Sequence, residues 1–267
     1  MNSTATPRVP PVEVRDVWHR FVTAEGELLV LDGINLSVRS GRTLAIVGPS
    51  GCGKTTLLNM IAGLESPQEG SVTVMGSMPV DRRSQVGYLF ARDALLPWRT
   101  ALENVTLGMR LRGIARHERR ERARHLLAAV GLEGYEDAYR SQLSQGMRQR
   151  VALARTLALE PDLLLMDEPF SALDAQTRLD IQEMFLELLE AAGTTVVLIT
   201  HDLAEAVALG DDVAVFTRRP GRLKATFAID LPRPRKIRDL QADPRFHAHY
   251  SEIWEELRDE FTAARIA

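Results

Sequence analysis

The sequence predicts an α/β fold with phosphate chemistry at the C-terminal edge of its sheet and a helical insertion inside it. Three observations carry this. Apolar runs of strand length, Thr43 to Val47, Leu163 to Met166 and Thr195 to Ile199, alternate with helical patterns, as in a sheet buried on both faces. The first run leads into Gly48-Pro49-Ser50-Gly51-Cys52-Gly53-Lys54-Thr55-Thr56, which fits the phosphate-loop pattern G-x-x-x-x-G-K-[ST]. The other two runs end in Asp167-Glu168 and in His201-Asp202, at the strand ends where such sheets hold their ligands.

The loop has the context its chemistry requires. A buried strand precedes it, and Leu57 to Ala62 reads as a helix closed by Gly63. The glycines let the backbone curl so that several N–H groups face one anion, and the helix adds its positive end. Lys54 can then reach the β- and γ-phosphates of a nucleotide, and the Thr55 hydroxyl can ligate Mg²⁺. The competing explanation is a glycine-rich turn that matches by chance. Cys52 sits beside Lys54 and so could carry an activated thiol, but the preferred reading is a small residue filling a tight loop.

At 267 residues the chain can bury a sizeable core, in one large domain or two small ones. A formal net charge of −3 speaks against a DNA-coating protein, although a local basic patch stays open. The single cysteine excludes an intrachain disulfide and suits the cytosol. No apolar run is long enough to span a bilayer, and residues 1–11 are polar and proline-rich without a signal-peptide core, so they read as a loose tail. Any membrane role would therefore come through a partner.

In chain order, Val12 to Val17 alternates as a strand, and Leu28 to Leu31 and Ile34 to Val38 read as two more, with Asp32-Gly33 as the turn between them. Phe21 falls in the connection between the first two; it could stack on an adenine ring or anchor the local structure. Ser71 to Met75 and Val86 to Phe90 are further strands. From about residue 92 to 160 the pattern turns helical, with Ala101 to Arg112 and His117 to Val130 each stopped by a glycine. The run Arg116 to Arg122 mixes charge signs at helical spacing and reads as a solvated helix face, with nucleic-acid binding as the alternative. Ser144 caps a helix to Leu159, with Arg148, Gln149, Arg150 and Arg155 on its polar side. Asp174 to Ala192 is an amphipathic helix, Leu203 to Leu209 a short one, and Asp212 to Thr217 and Leu223 to Ile229 are strands. A final helical stripe, Phe246, Tyr250, Ile253, Trp254, Leu257 and Phe261, within residues 243–267, packs on the host domain or binds a partner.

The acids after the phosphate loop have distinct chemistry open to them. Thr55 and Asp167 would hold Mg²⁺, Asp167 either directly or through water. Glu168 would orient a water and accept its proton. His201 could hydrogen-bond the γ-phosphate or that water. Taken singly, the acids could be ordinary strand-end residues and His201 a satisfied buried histidine; together beside a phosphate loop they point to hydrolysis.

These residues resemble the ATP-binding subunit of ABC transporters. The family signature, usually Leu-Ser-Gly-Gly-Gln, stands here as Leu143-Ser144-Gln145-Gly146-Met147; Ser171-Ala172-Leu173-Asp174 matches the D-loop, and His201 the switch histidine. The match runs over almost the whole chain, in the family's order. Leu95 to Val105 and the proline-arginine tail look like the nitrate/sulfonate/taurine importer branch. The resemblance implies a P-loop NTPase with a mixed central sheet, an antiparallel β subdomain and a helical insertion: the ABC nucleotide-binding domain, over residues 12–242. It implies ATP and Mg²⁺ as ligands, and a head-to-tail dimer in which Ser144 and Gly146, with Asp174, reach the nucleotide held by Gly48 to Thr56 of the twin. It raises Phe21 to the adenine-stacking aromatic. It further implies multi-span permease subunits, a periplasmic or extracellular binding protein acting indirectly, and a peripheral place on the cytoplasmic face of the plasma membrane, with no nucleic acid.

Two departures stand out. The family's glutamine after the strand ending at Phe90 is Ala91 here, followed by Arg92 and Asp93; a methyl group cannot donate, accept or ligate. Either a neighbour substitutes or coupling differs. Gln145 replaces a signature glycine, so a side chain must fit at the dimer seam. The alternatives are a soluble ABC ATPase acting on ribosomes or DNA, a P-loop kinase or GTPase, and a regulatory ATP-binding subunit. A paired domain or long coiled-coil insertion would mark the first. The second leaves the signature and His201 unexplained, and Glu168 and His201 argue against the third.

Overall fold

Side-chain alternation along three buried strands sets the layers. Leu44 and Ile46 face one hydrophobic core, and Ala45 and Val47 face another. Leu163 and Leu165 divide from Leu164 and Met166 in the same way, as do Val197 and Ile199 from Val196 and Leu198. A strand apolar on both faces must be covered on both, so the sheet lies between two layers.

The computed structural model describes residues 9–24, 26–171 and 173–262. The strands and helices in chain order begin with β1 (Val12–Thr23), β2 (Gly26–Val38), β3 (Thr43–Val47), α1 (Lys54–Ile61), β4 (Glu69–Val74) and β5 (Val86–Leu89). The helical insertion follows as α2 (Ala101–Leu111), α3 (Arg116–Ala129) and α4 (Gln145–Leu157). The chain then returns through β6 (Leu163–Asp167), α5 (Ala175–Ala192), β7 (Thr195–Ile199), α6 (Leu203–Leu209), β8 (Asp212–Phe216), β9 (Leu223–Ala228), α7 (Ile237–Leu240) and α8 (Pro244–Thr262). The larger sheet has the order β5-β6-β7-β3-β8-β9, parallel except for the antiparallel edge strand β9. The smaller sheet, β2-β1-β4, is antiparallel and shares its core with α1. This is the mixed sheet with an antiparallel subdomain that the resemblance implies.

Several local expectations need correction. Asp32-Gly33 is not a turn: β2 runs through it, with these two residues set against Trp18 of β1 and Gly33 at φ +65°. The kink that looked like a turn is a bulge, which bends a strand without ending it. Phe21 accordingly lies on β1, paired with Leu28, rather than in a connection. Gln149 does not belong to the solvated side of α4; it is buried and donates to the Pro169 carbonyl at 2.7 Å. The short helix α7 follows a proline-arginine segment read as irregular. In the C-terminal stripe Phe246, Ile253 and Leu257 are buried in the core, while Tyr250 and Trp254 stay exposed. Residues 1–8 of the expected tail, Ala172 of the D-loop segment and residues 263–267 lie outside the described residues, and so does the side chain of Phe261.

One buried ionic cluster fixes the strand that carries the phosphate loop. Asp211 accepts from the Thr43 N–H at 2.8 Å, at the start of β3. Its other oxygen accepts from Arg233 at 2.9 and 3.0 Å and lies 3.5 Å from Arg235. Burial pushes the Arg235 guanidinium down to about 10, Arg233 beside it adds to that, and Asp211 pulls it back up, so the cluster holds a buried charge at neutral pH. Removing one member of such a buried pair strands the other charge. Asp211→Ala is therefore expected to destabilise the chain by about 3 kcal/mol, read as a lowered midpoint in urea unfolding.

Candidate active site

Three parallel strands end side by side, and the site is built on those ends. In register, Ile46 pairs with Ile199 and Ile199 with Asp167, so the loop after β3, the acids after β6 and His201 after β7 leave the sheet at one edge. Two backbone bonds lock the exits: the Glu168 N–H donates to the Ile199 carbonyl at 2.9 Å, and the Thr200 N–H to the Ile46 carbonyl at 3.2 Å.

The loop is a concave cradle. Gly53 sits at φ +99°, and a Cβ there would lie 2.6 Å from Leu31 and 2.8 Å from Val30. Only glycine fits this left-handed position against β2. Lys54 is buried, and its ammonium donates to the Gly48 and Pro49 carbonyls at 2.8 Å each. The cation thus braces the loop from inside. Cys52 is a filling residue: it is buried, and burial pushes its thiol pKa up against the opposing pull of Lys54.

Around the cradle opens a cleft of about 340 Å³. Phe21, Leu28 and Val30 form an apolar wall, and Ser50, Gly51, Gly53, Lys54, Thr55 and Thr56 the floor, with Glu168 and Arg219 at the rim. Phe21 is 40% exposed and packs edge-on against His19, with ring centroids 4.8 Å apart. An exposed ring held from behind offers its free face to a flat base.

Thr55 and Asp167, the pair expected to hold Mg²⁺, stand side by side. The Thr55 hydroxyl donates to Asp167, 3.1 and 3.3 Å from its two oxygens. Burial pushes the Asp167 carboxyl above the ordinary carboxylate range and the charge of Glu168 adds to this, while the Thr55 hydroxyl and Lys54 pull it back. A half-buried acid disfavoured in its charged form, beside a hydroxyl and below a phosphate cradle, is the donor set a hard divalent cation suits. Glu168 follows in a left-handed conformation, φ +47°, a costly choice for a residue with a side chain. Its carboxylate lies 3.2 Å from Nδ1 of His201, and Ser171 donates to its carbonyl at 2.9 Å.

The remaining predicted residues do not line this cleft. Ser144 caps α4, accepting from the Met147 N–H at 3.2 Å. Gly146 lies against Thr177 of α5, where a Cβ would come within 2.6 Å. Asp174 caps α5 through the Thr177 N–H at 3.0 Å, and that bond holds its carboxyl below the usual range. Gln145 is exposed, so the fold accommodates its side chain without adjustment.

Ala91 is half-buried, and among the described residues Arg92 has no ion pair or side-chain hydrogen bond. Asp93 is committed elsewhere: it accepts from Arg140 at 3.0 and 3.2 Å and lies 3.5 Å from Arg148 of α4. Burial works against its charge, but Arg140 and the Leu95 N–H hold its carboxyl below the usual value. Asp93 therefore does not replace the missing glutamine as a ligand at the phosphate cleft.

Sequence reasoning missed Arg219. Its Nε donates to the Gly51 carbonyl at 3.2 Å, placing a guanidinium at the cleft rim. The signal was available in Arg218-Arg219-Pro220-Gly221, a basic turn leaving β8 at the same sheet edge as the loop.

The comparisons agree with this geometry. The family profile described as ABC transporter matches residues 31–171. An uncharacterised ABC transporter ATP-binding protein of Methanocaldococcus jannaschii is 49% identical over 249 residues, covering 93% of this chain and 92% of its own. A taurine import ATP-binding protein, TauB of Burkholderia pseudomallei, is 41% identical over 244 residues, covering 90% of this chain and 94% of its own. Among solved structures, a dimeric ATP-binding cassette in a post-hydrolysis state, bound to ADP and Pi, superimposes with a TM-score of 0.73 at 33% identity over 83% of this chain and 100% of that one.

The raised Asp167 carboxyl has a measurable sign. Between its unfolded and folded pKa values the folded chain holds more protons than the unfolded chain, so stability falls as pH rises through that window and stays reduced above it. Asp167→Asn removes the charge but keeps an acceptor for Thr55. In nucleotide-free protein this variant is expected to melt above the unmutated chain at neutral pH, with the difference closing under acid, as read by thermal unfolding across a pH series.

Proposed function

The chain is an ATP-hydrolysing protein that belongs to the ABC transporter family, and from that premise we propose that it energises an importer of the nitrate/sulfonate/taurine type. The observation that carries this reading is the convergence of Thr55, Asp167, Glu168 and His201 on one loop-bearing sheet edge. In the proposed mechanism the loop N–H groups and Lys54 hold the β- and γ-phosphates, and Phe21 stacks on the adenine. Thr55 and Asp167 would hold Mg²⁺, which would offset the charge on the phosphate oxygens. Glu168 orients a water and takes its proton as the water oxygen bonds to the γ-phosphorus and the bond to the ADP oxygen breaks. His201, 3.2 Å from the Glu168 carboxylate, would hold it in position and could reach the γ-phosphate.

Ser144, Gly146 and Asp174 serve a second copy. Ser144 stands at the N-terminus of α4, where a positive helix end is offered outward. In a head-to-tail pair that end completes the twin's cleft, so ATP joins the two copies and hydrolysis releases them. The dimeric state of the ADP- and Pi-bound relative supports this arrangement, and the import proteins among the relatives support uptake as its direction. Closure would be passed to multi-span permease subunits at the cytoplasmic face of the plasma membrane, with a periplasmic or extracellular binding protein delivering the solute. Among the described residues no helix is long and apolar enough to cross a membrane, which fits a peripheral subunit. A sulfonate-class solute is the finer proposal, resting on the relatives' names.

Two measurements test this. Glu168→Gln is expected to keep ATP binding while lowering steady-state phosphate release by about 10²-fold or more and trapping an ATP-bound dimer on size exclusion; turnover at the unmutated rate would remove Glu168 as the base. Ala91→Gln is expected to change the ratio of permease-stimulated to basal ATPase in the reconstituted complex. An unchanged ratio would count against any coupling role for this position.

A further inference from the structure

The charged run Arg116 to Arg122 does not fold as a uniformly solvated face. Arg99 precedes α2 and Arg110 lies in its last turn; Arg116, Arg119 and Arg120 come from the first turns of α3. These five arginines line one pocket of about 250 Å³ in the helical insertion. Neighbouring side chains are partnered, His117 lying near Glu121 and Arg122 paired with Glu160. None of the five pocket arginines has an ion pair among the described residues. Glu103 is the one acid lining the pocket, and its carboxylate is engaged by the Thr100 N–H at 3.2 Å in the capping box of α2. Glu118 shares the first turn of α3 and does not line the pocket.

Two further features point to an absent anion. The α3 N-cap is Ala115, which offers no side chain to the first free N–H groups, so a positive helix end adds to the arginine charge. Arg99 carries a buried Nε without an acceptor. Every other arginine with such an atom, among the described residues, has an ion pair or hydrogen bond to a protein oxygen elsewhere. Arg99 has neither. Arginine forks match phosphate oxygens two at a time, and converging like charges are relieved when a polyvalent anion sits between them. The pocket has the volume of a phosphate group or diphosphate, too small for a helix of a partner protein.

We propose that this pocket binds a phosphate-bearing anion, either the headgroup of an acidic phospholipid or a free phosphate compound, at a site separate from the nucleotide cleft. The test uses the full chain with the nucleotide cleft saturated by MgADP, at physiological salt. One arm is co-sedimentation with phosphatidylcholine vesicles with and without phosphatidylglycerol; the other is calorimetric titration with inorganic pyrophosphate. Binding in the vesicle arm alone identifies a lipid source, in the pyrophosphate arm alone a free phosphate, and either supports the site. The double variant Arg99→Gln/Arg120→Gln is expected to weaken that binding by at least about tenfold with basal ATPase unchanged, and Arg110→Gln/Arg116→Gln, at two exposed positions, gives the same loss without touching buried atoms. Binding in neither arm, or undiminished binding by both variants, overturns the proposal. So does a result in which the variants lose only their hold on permease subunits, which would make this face a protein-docking surface.

Discussion

One constraint governs the rest of the molecule: a loop with its N–H groups turned inward must be held still around a space meant for an anion. Such a loop is a concentration of positive partial charge, unfavourable until something negative enters. This chain holds it by rigid attachment on every side. The loop leaves a strand with parallel neighbours on both sides, β7 and β8. It presses Gly53 against β2, and takes its lysine back onto its own carbonyls at 2.8 Å. The Pro220-Gly221 turn closes the last side, so tightly that a Cβ on Gly221 would lie 2.1 Å from the Cys52 carbonyl.

The charges proposed to do chemistry are placed by the backbone rather than by side-chain reach. Asp167 is the last residue of β6 and Glu168 the first beyond it. Successive residues of a strand point to opposite faces, so two adjacent acids would normally diverge. The left-handed φ of Glu168 breaks that alternation and turns its carboxylate toward His201, with Asp167 left facing Thr55. Backbone strain of this kind costs about 1–3 kcal/mol and persists only where surrounding structure enforces it. Here the Ile199 carbonyl and the Ser171 hydroxyl do so from either side.

Most of the fold and the cleft was legible because it depends on short-range rules. Four apolar residues in a row mark a strand covered on both faces, and a glycine-rich loop between strand and helix has few other uses. What failed was long-range or compensatory. Nothing in Asp32-Gly33 reveals that the extra residue will be taken up as a bulge, with β2 carried straight through. Gln149 reads as polar surface because its acceptor, the Pro169 carbonyl, is 20 residues away and reaches it only after folding. Arg219 escaped because its role comes from where β8 ends beside the loop. Ser144 and Gly146 were visible as a motif, yet within one chain they lie outside the cleft, since their partner surface belongs to a second copy in the proposed arrangement.

The segment after β5 shows how a chain can lose a side chain and keep the connection. Ala91 offers no polar atom, yet the next residues are tied firmly to the helical insertion. Arg140 and Arg148 converge on the Asp93 carboxylate, and Arg155 donates to the Asp93 and Ala94 carbonyls at 2.9 and 2.7 Å. Burial pushes the Arg155 guanidinium down, so its charge is held in a poorly solvated place by those acceptors. Arg148 and Arg155 both sit on α4, whose N-terminus is capped by Ser144. A displacement of residues 93–94 would therefore pull directly on the helix that would face the twin's nucleotide. A glutamine at position 91 would reach toward the phosphate with its own amide; here the neighbouring residues 93–94 are tied to α4 instead. Any movement of the segment after β5 is therefore shared with α4 through that ionic hinge, whatever residue stands at position 91.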